Sequence, residues 1–333
     1  MLVAAAALLV AVAAWGLLAP ERHGDDLRLQ DGPSRPAPAG QDGGPAPSTT
    51  AGPPLRPSIT TRDGGGASGA PPASPGPSPA GPATGGRPGP GTTGPTDPGA
   101  LRPVTAEEVE AMMQPGAVIE GVAITGGNLD VQASDVTIRN FTLDAAGAGF
   151  GVRSCGPDED CGTPADQATG LVLEDGEIFG TGVTAFWGRE ATLRRLEVHH
   201  SDNSAFRPLE NVTIERSWWH DLAPDDGGSG NGVLFGAGGG RNVTIRANTC
   251  DQPVSVSPAY GGGACVIAGT GSTDVTVVVE GNWLTGGNNT VECNGHGSMT
   301  VTGNRFGRAL RYRPVSRCPA AADNVWDDTG EPI

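Results

Sequence analysis

The sequence predicts an all-β fold: a parallel solenoid of short strands with a short helix capping its N-terminal end. Three observations carry this. A phrase recurs at Asp135–Asp144, Leu171–Phe179, Ala191–His199, Val212–His220 and Val243–Asp251, with weaker copies at Val277–Thr285 and Met299–Gly307. Every copy alternates apolar and polar residues with period two, and so do the shorter pieces between copies: Gly182–Phe186, Gly232–Phe235, Cys265–Ile267 and Thr290–Cys293. Finally, Ser217, Asn248, Asn282 and Asn304 share one column of the aligned phrases, where stacked amides can hydrogen-bond between in-register parallel strands. Two short strands per copy describe the coils of a solenoid. A β-sandwich would not repeat one phrase so closely, and a four-stranded propeller blade needs longer units.

The elements follow in chain order. Residues 1–20 contain Leu2 to Ala19, a stretch without charge. It fits a cleaved signal peptide, with Ala11-Val12-Ala13 as the small-residue site, or a membrane anchor near the ~20-residue spanning limit. A core helix fits poorly ahead of a long linker, and the positively charged start expected of an export signal is missing. Residues 21–103 read as a disordered Pro/Gly-rich linker. Its part from 33 to 103 holds 19 Pro and 16 Gly, too little apolar surface to offset the entropy of ordering. Residues 104–333 form the solenoid domain. Thr105-Ala-Glu-Glu108 has the capping-box pattern and Val109, Met112 and Met113 give an apolar face, so 105–114 is the expected cap. Cys318 and the tail through Trp326 are expected to close the far end.

Six cysteines, an even number, favour disulfides in an exported protein. Fifteen pairings are formally possible. The most local is Cys155–Cys161, Cys250–Cys265 and Cys293–Cys318. A metal site is the rival reading, but the chain has no C-x-x-C pair.

Composition excludes several functions. There is no Lys, so a Schiff-base lysine, a phosphate-loop lysine and a lysine base are impossible. The net charge is −16, and residues 1–103 carry seven Arg against seven acids, so the whole excess lies in 104–333. Nucleic acid is not an expected partner, because binding it needs a basic surface. Gly236-Ala-Gly-Gly-Gly240 precedes a strand rather than a helix and is not a phosphate loop. Asn140-Phe-Thr, Asn211-Val-Thr and Asn242-Val-Thr match the glycosylation pattern but read better as turn asparagines before a strand. Arg308, Arg311 and Arg313 form a basic patch expected to pair with nearby acids.

The V-T-I-x-x-N phrase and the G-V-x-F second strand resemble the right-handed parallel β-helix superfamily, the pectate-lyase-like fold, over residues 116–318. The resemblance implies the fold. It leaves function open, since the superfamily includes lyases, hydrolases, epimerases and non-enzymatic adhesins.

A solenoid turns repeats into columns spaced ~4.8 Å apart. The outward position closing the first strand runs Asp144, Phe179, His199, His220, Asp251, Thr285, and the next column holds His200, Asp221 and Gln252. Asp202, Asn231 and Arg207 lie nearby in the alignment. Insertions at 223–230, carrying Asp225 and Asp226, and at 251–263 leave the same side. Trp218 and Trp283 are expected to face outward two coils apart, as sugar-stacking platforms or covered by those loops. His199, His220, Asp202, Asp221 and Asp251 are the catalytic candidates; Trp218, Trp283, Arg207, His200, Asn231, Asp225 and Asp226 are the binding candidates. Some β-helix proteins carry I-H-D-L followed by H-x-D-G-I-Q. This chain has Trp219-His220-Asp221-Leu222, then Ser229-Gly-Asn231-Gly-Val-Leu234, so the second half departs from that pattern.

The expected function is an exported or surface-tethered polysaccharide-active protein, a glycan lyase or glycoside hydrolase. Hydrolysis would use paired carboxylates with a histidine acid or base. Elimination would use His or Arg as base, with Ca²⁺ held by Asp oxygens as a possible cofactor. The negative charge favours a neutral or cationic glycan, or a cation-bridged one. The alternative is a non-catalytic surface or adhesion module. A monomer is expected in either case.

Overall fold

Each recurring phrase folds as a strand, a corner and a second strand, and the piece between phrases adds a third strand to the coil. The computed structural model describes residues 86–154, 168–222, 230–236, 238–252, 263–269, 271–272 and 274–333. The Cys155–Cys161 pair, Asp225, Asp226 and the segment 1–85 lie outside them. Every strand pairing among the coils is parallel. The first face stacks Ala191–Arg194, Glu210–Glu215, Arg241–Arg246, Val277–Glu280, Met299–Thr302 and Ala320–Ala322. The second stacks Glu197–Ser201, Trp218–His220, Thr249–Asp251, Trp283–Thr285, Arg305–Phe306 and Val325–Trp326. In the early coils one long strand covers both faces: Val118–Thr125, Thr137–Asp144 and then Leu171–Thr181. The third face is a separate sheet that includes Thr184–Gly188, Ser204–Pro208, Asn231–Phe235 and Val266–Ala268.

Alternation puts one apolar set inside. Ile138, Leu173, Leu193, Ile214, Ile245, Val279 and Val301 stack in register on the first face and are all buried. Ile178, Val198, Trp219, Cys250, Leu284 and Phe306 do the same on the second. At the corner between these faces one residue per coil turns left-handed: Arg195, Arg216, Ala247, Gly281, Gly303 and Asp323, with φ from 52° to 64°. That region is costly for non-glycine residues, and the position after it supplies the compensation. There the expected amide column forms. Asn282 Oδ1 accepts from Asn248 N–H at 2.9 Å and from its Nδ2 at 3.0 Å, and Asn304 Oδ1 accepts likewise from Asn282. Ser217 N–H donates to Asn248 Oδ1 at 2.9 Å, and Asn324 extends the ladder at the far end.

The polar side of the first face carries a second ladder. Glu120, Arg139, Glu174, Arg194, Glu215, Arg246 and Glu280 follow one another in register, acid and base alternating. Arg139 lies 2.6 Å from Glu120 and Arg246 2.6 Å from Glu215, and Arg194 pairs with Glu174. Arg246→Glu would set like charges on three successive coils. We expect it to lower the melting temperature by a few degrees at low salt, and the loss to shrink with added NaCl, because these pairs are exposed and screened. A loss unchanged by salt would contradict this charge-based account.

Helix Ala106–Met112 has Thr105 as N-cap, and both halves of the capping box form: Glu108 N–H donates to Thr105 Oγ1, and Thr105 N–H donates to Glu108 Oε2. It buries Val109 against the first coil, while Met112 faces solvent. The disulfides Cys250–Cys265 and Cys293–Cys318 follow the local pairing, and they fit an oxidising environment. At the far end, Ala320–Ala322 and Val325–Trp326 add a final coil, and the tail folds back to bridge Val325 with Pro332. One boundary shifts: residues 86–103, which composition assigns to the linker, are structured. They include the turn Pro98–Ala100 and the strand Arg102–Thr105, which pairs with Val122–Thr125.

Candidate functional site

The strand register on the second face sets the outward residues in two neighbouring columns. In one, Asp144 pairs with Phe179, Phe179 with His199, His220 with Asp251 and Asp251 with Thr285. The His199 and His220 rings stack with centroids 5.2 Å apart, joining the two halves. In the other column lie Glu177, Glu197, Trp218, Thr249, Trp283 and Arg305. Glu177 and Glu197 were not among the sequence candidates. Their signal was present: each stands two residues before the column of Phe179 and His199, and period two puts them on the same face.

These columns form two acid–imidazole pairs. His199 Nε2 lies 2.9 Å from Glu177 Oε1, and its Nδ1 lies 2.6 Å from His200 Nδ1, so one of those two nitrogens carries the shared proton. His220 has a carboxylate at each nitrogen: Glu197 Oε1 is 3.2 Å from Nε2 and Asp221 Oδ2 is 2.8 Å from Nδ1. Only the doubly protonated ring donates to both. Burial of the ring disfavours its charge, but the hydrogen bonds to Glu197 and Asp221, with their charges, outweigh this and hold its pKa above the ordinary histidine value. The ring also stacks on Trp218 with centroids 3.7 Å apart, which places a cation on an indole face. His199 stacks on Phe179 at 5.3 Å, so the aromatic stripe runs Phe179, His199, His220, Trp218.

The other candidates are spread more widely. Both oxygens of Asp251 are engaged, one by Arg87 Nη2 at 2.7 Å and one by Trp218 Nε1 at 3.1 Å. Trp218 and Trp283 are half-buried on the outward side, with Thr249 between them in register. Thr249 is 1% exposed, and its hydroxyl has no hydrogen-bond partner. Asp202 sits on the turn to the third face, where its N–H donates to Thr181 O. Asn231 is buried there and accepts from Ala264 N–H. Arg207 lies on the outer side of the third face, in register with Trp187. Its Nε donates to Ser204 Oγ, and burial lowers the guanidinium pKa. Asp202, Asn231 and Arg207 thus belong to the turn and sheet beside the histidine columns. Of the basic patch, Arg308 pairs with Asp328 at 2.6 Å.

Glu177, Glu197 and His199 each present one ligand atom, all within 4.8 Å of one another. One imidazole and two carboxylates suit Zn²⁺ or Mn²⁺ better than Ca²⁺, which prefers an all-oxygen shell. No family model matches this chain, and no match is found among the curated proteins or the solved structures.

Proposed function

We propose that the second face binds polysaccharide and that His220 is the proton donor of a glycan-cleaving reaction there. The observation that carries this reading is the environment of His220. An imidazolium kept charged by Glu197 and Asp221, and seated on Trp218, is an acid that works near neutral pH beside a sugar-stacking ring. Asp221 is the exchangeable partner, since its side chain is 68% exposed and that of Glu197 only 22%. A glycosidic oxygen that displaced Asp221 would meet the Nδ1 proton, while Glu197 would keep the ring oriented. His199 on the adjacent coil, paired with Glu177 on the coil beyond it, would supply the complementary base. The domain's negative charge favours a neutral or cationic glycan. On this reading the protein is exported, its disulfides form outside the cytoplasm, and the fold is the right-handed β-helix of pectate-lyase-like proteins.

A non-catalytic glycan-binding module is the second reading. It is favoured by the engagement of Glu177, Glu197 and Asp251 with side chains of the protein itself.

The test is an activity panel of neutral, uronic and amino polysaccharides, with and without Ca²⁺, reading reducing ends and unsaturated products. We expect cleavage of a neutral or amino polymer by the wild type and loss of it in His220→Ala. No product from any polymer would overturn the enzyme reading. Binding unchanged in both His220→Ala and Trp218→Ala would overturn the site itself.

A further inference from the structure

We propose that residues 86–97 are a displaceable strap that occupies the second face and competes with glycan for it. This rests on the glycan reading above. Its partners outside the segment lie on four separate coils. Arg87 Nη2 donates to Asp251 at 2.7 Å, and its Nη1 lies 3.7 Å from Asp327. Gly94 N–H donates to Arg195 O at 3.1 Å. Thr96 N–H and Oγ1–H and Asp97 N–H all donate to Asn140 Oδ1, at 2.9, 3.0 and 3.3 Å. The strap therefore runs along the solenoid against the order of the coils, from the last of them back to an early one.

Its course crosses the site. Arg87 takes one oxygen of Asp251, whose other oxygen holds Trp218. A Cβ on Gly94 would lie 3.2 Å from Glu197 Oε2, the carboxylate group that orients His220. Pro88, Thr93 and Gly94 are buried by the docking. The segment runs from the outward column of the second face at Asp251 to the corner beside that face at Arg195 and Asn140, so it crosses the strip that the glycan reading assigns to the sugar.

The strap is built to dock and to leave. Pro88, Pro90 and Pro95 fix backbone angles in advance, which cuts the entropy cost of docking, and covalent connection makes it a competitor at high effective concentration. A turn closed by Thr92 N–H on Gly89 O, at 2.9 Å, shapes its middle. Its charged anchor is a weak one. The Arg87 and Asp251 side chains are 42% and 40% exposed, so their ion pair is screened by solvent. The strap has no large apolar side chain between Arg87 and Asp97 to hold it in place.

Two full-length variants test this. Gly94→Val puts a branched side chain at φ +79° and into Glu197, and Arg87→Glu reverses the charge facing Asp251 and Asp327. Amide hydrogen exchange reads the strap itself at Gly94, Thr96 and Asp97. Calorimetric titration with cellohexaose, mannohexaose and chitosan hexamer reads the face. We expect protected strap amides in the wild type and fast exchange in both variants. Any hexamer that binds should bind about ten- to hundredfold tighter to the variants, the gain expected when a competent form populated at roughly 1–10% becomes dominant. Unprotected strap amides in the wild type would overturn the proposal. So would faster exchange with unchanged affinity, which leaves the glycan reading standing. Absence of binding in all three proteins would overturn both.

Discussion

Asn282→Ala is expected to cost about 3–7 kcal/mol of stability, at roughly 1–3 kcal/mol for a buried polar group left unpaired and roughly 0.5–1.5 kcal/mol for each of three further buried hydrogen bonds lost. Asn282 is fully buried. Its carbonyl oxygen takes two hydrogen bonds from Asn248, and its Nδ2 donates to Ile245 O and to Asn304 Oδ1. Truncation strands the Asn248 N–H where water cannot reach and removes three further buried hydrogen bonds, those of Asn248 Nδ2, the Ile245 carbonyl and Asn304 Oδ1. At roughly 2–4 °C per kcal/mol for a domain of this size, the melting temperature should fall by about 6–28 °C. Asn324→Ala is the control. It sits at the end of the ladder with 6% exposure, so solvent can replace part of what is lost. A smaller fall for Asn324→Ala than for Asn282→Ala is the expected pattern in thermal melts. Equal falls would mean that the ladder acts through something other than buried pairing.

His220→Gln is expected to lower turnover of a cleavable glycan by about 10²–10⁴-fold, the usual contribution of a positioned general acid. The wild-type rate should hold up to a pH above the ordinary histidine value and then fall as His220 loses its proton. Stability follows the same titration. The folded pKa is raised, so the stabilisation is complete below the unfolded value near ~6.5 and disappears as pH rises through the higher folded value. Wild type and His220→Gln should therefore differ most in melting temperature below about pH 6 and converge in alkali. A difference that grows with pH would mean that His220 is held neutral instead.

Much of the fold is legible in the sequence, because a solenoid writes its geometry locally. Val243-Thr-Ile and Val212-Thr-Ile declare their strands by alternation, and the shared spacing to Ser217 and Asn248 declares the register. The histidine column follows from that register. Glu177 and Glu197 are just as legible by period two, each one alternation before the column of Phe179 and His199. Arg207 is adjacent to the column in an alignment yet falls on another sheet, because a short turn after Ser201 redirects the chain, and Asn231 lies on that same sheet, paired with Ser204. The contact between Arg87 and Asp251 spans 164 positions and joins a Pro/Gly-rich segment to a coil. Nothing in local pattern encodes it, since composition alone describes that segment as linker.

The alternating Glu and Arg of the first face bear on how the chain finds its register while folding. Copies such as Val212-Thr-Ile-Glu and Val243-Thr-Ile-Arg are close enough that a strand could stack on the wrong neighbour with little loss of apolar contact. Skipping one coil would bring Glu215 beside Glu280, or Arg194 beside Arg246, like charge on like. The charges thus act as a proofreading key for a repetitive chain: they add little to the finished structure and raise the energy of a one-coil slip.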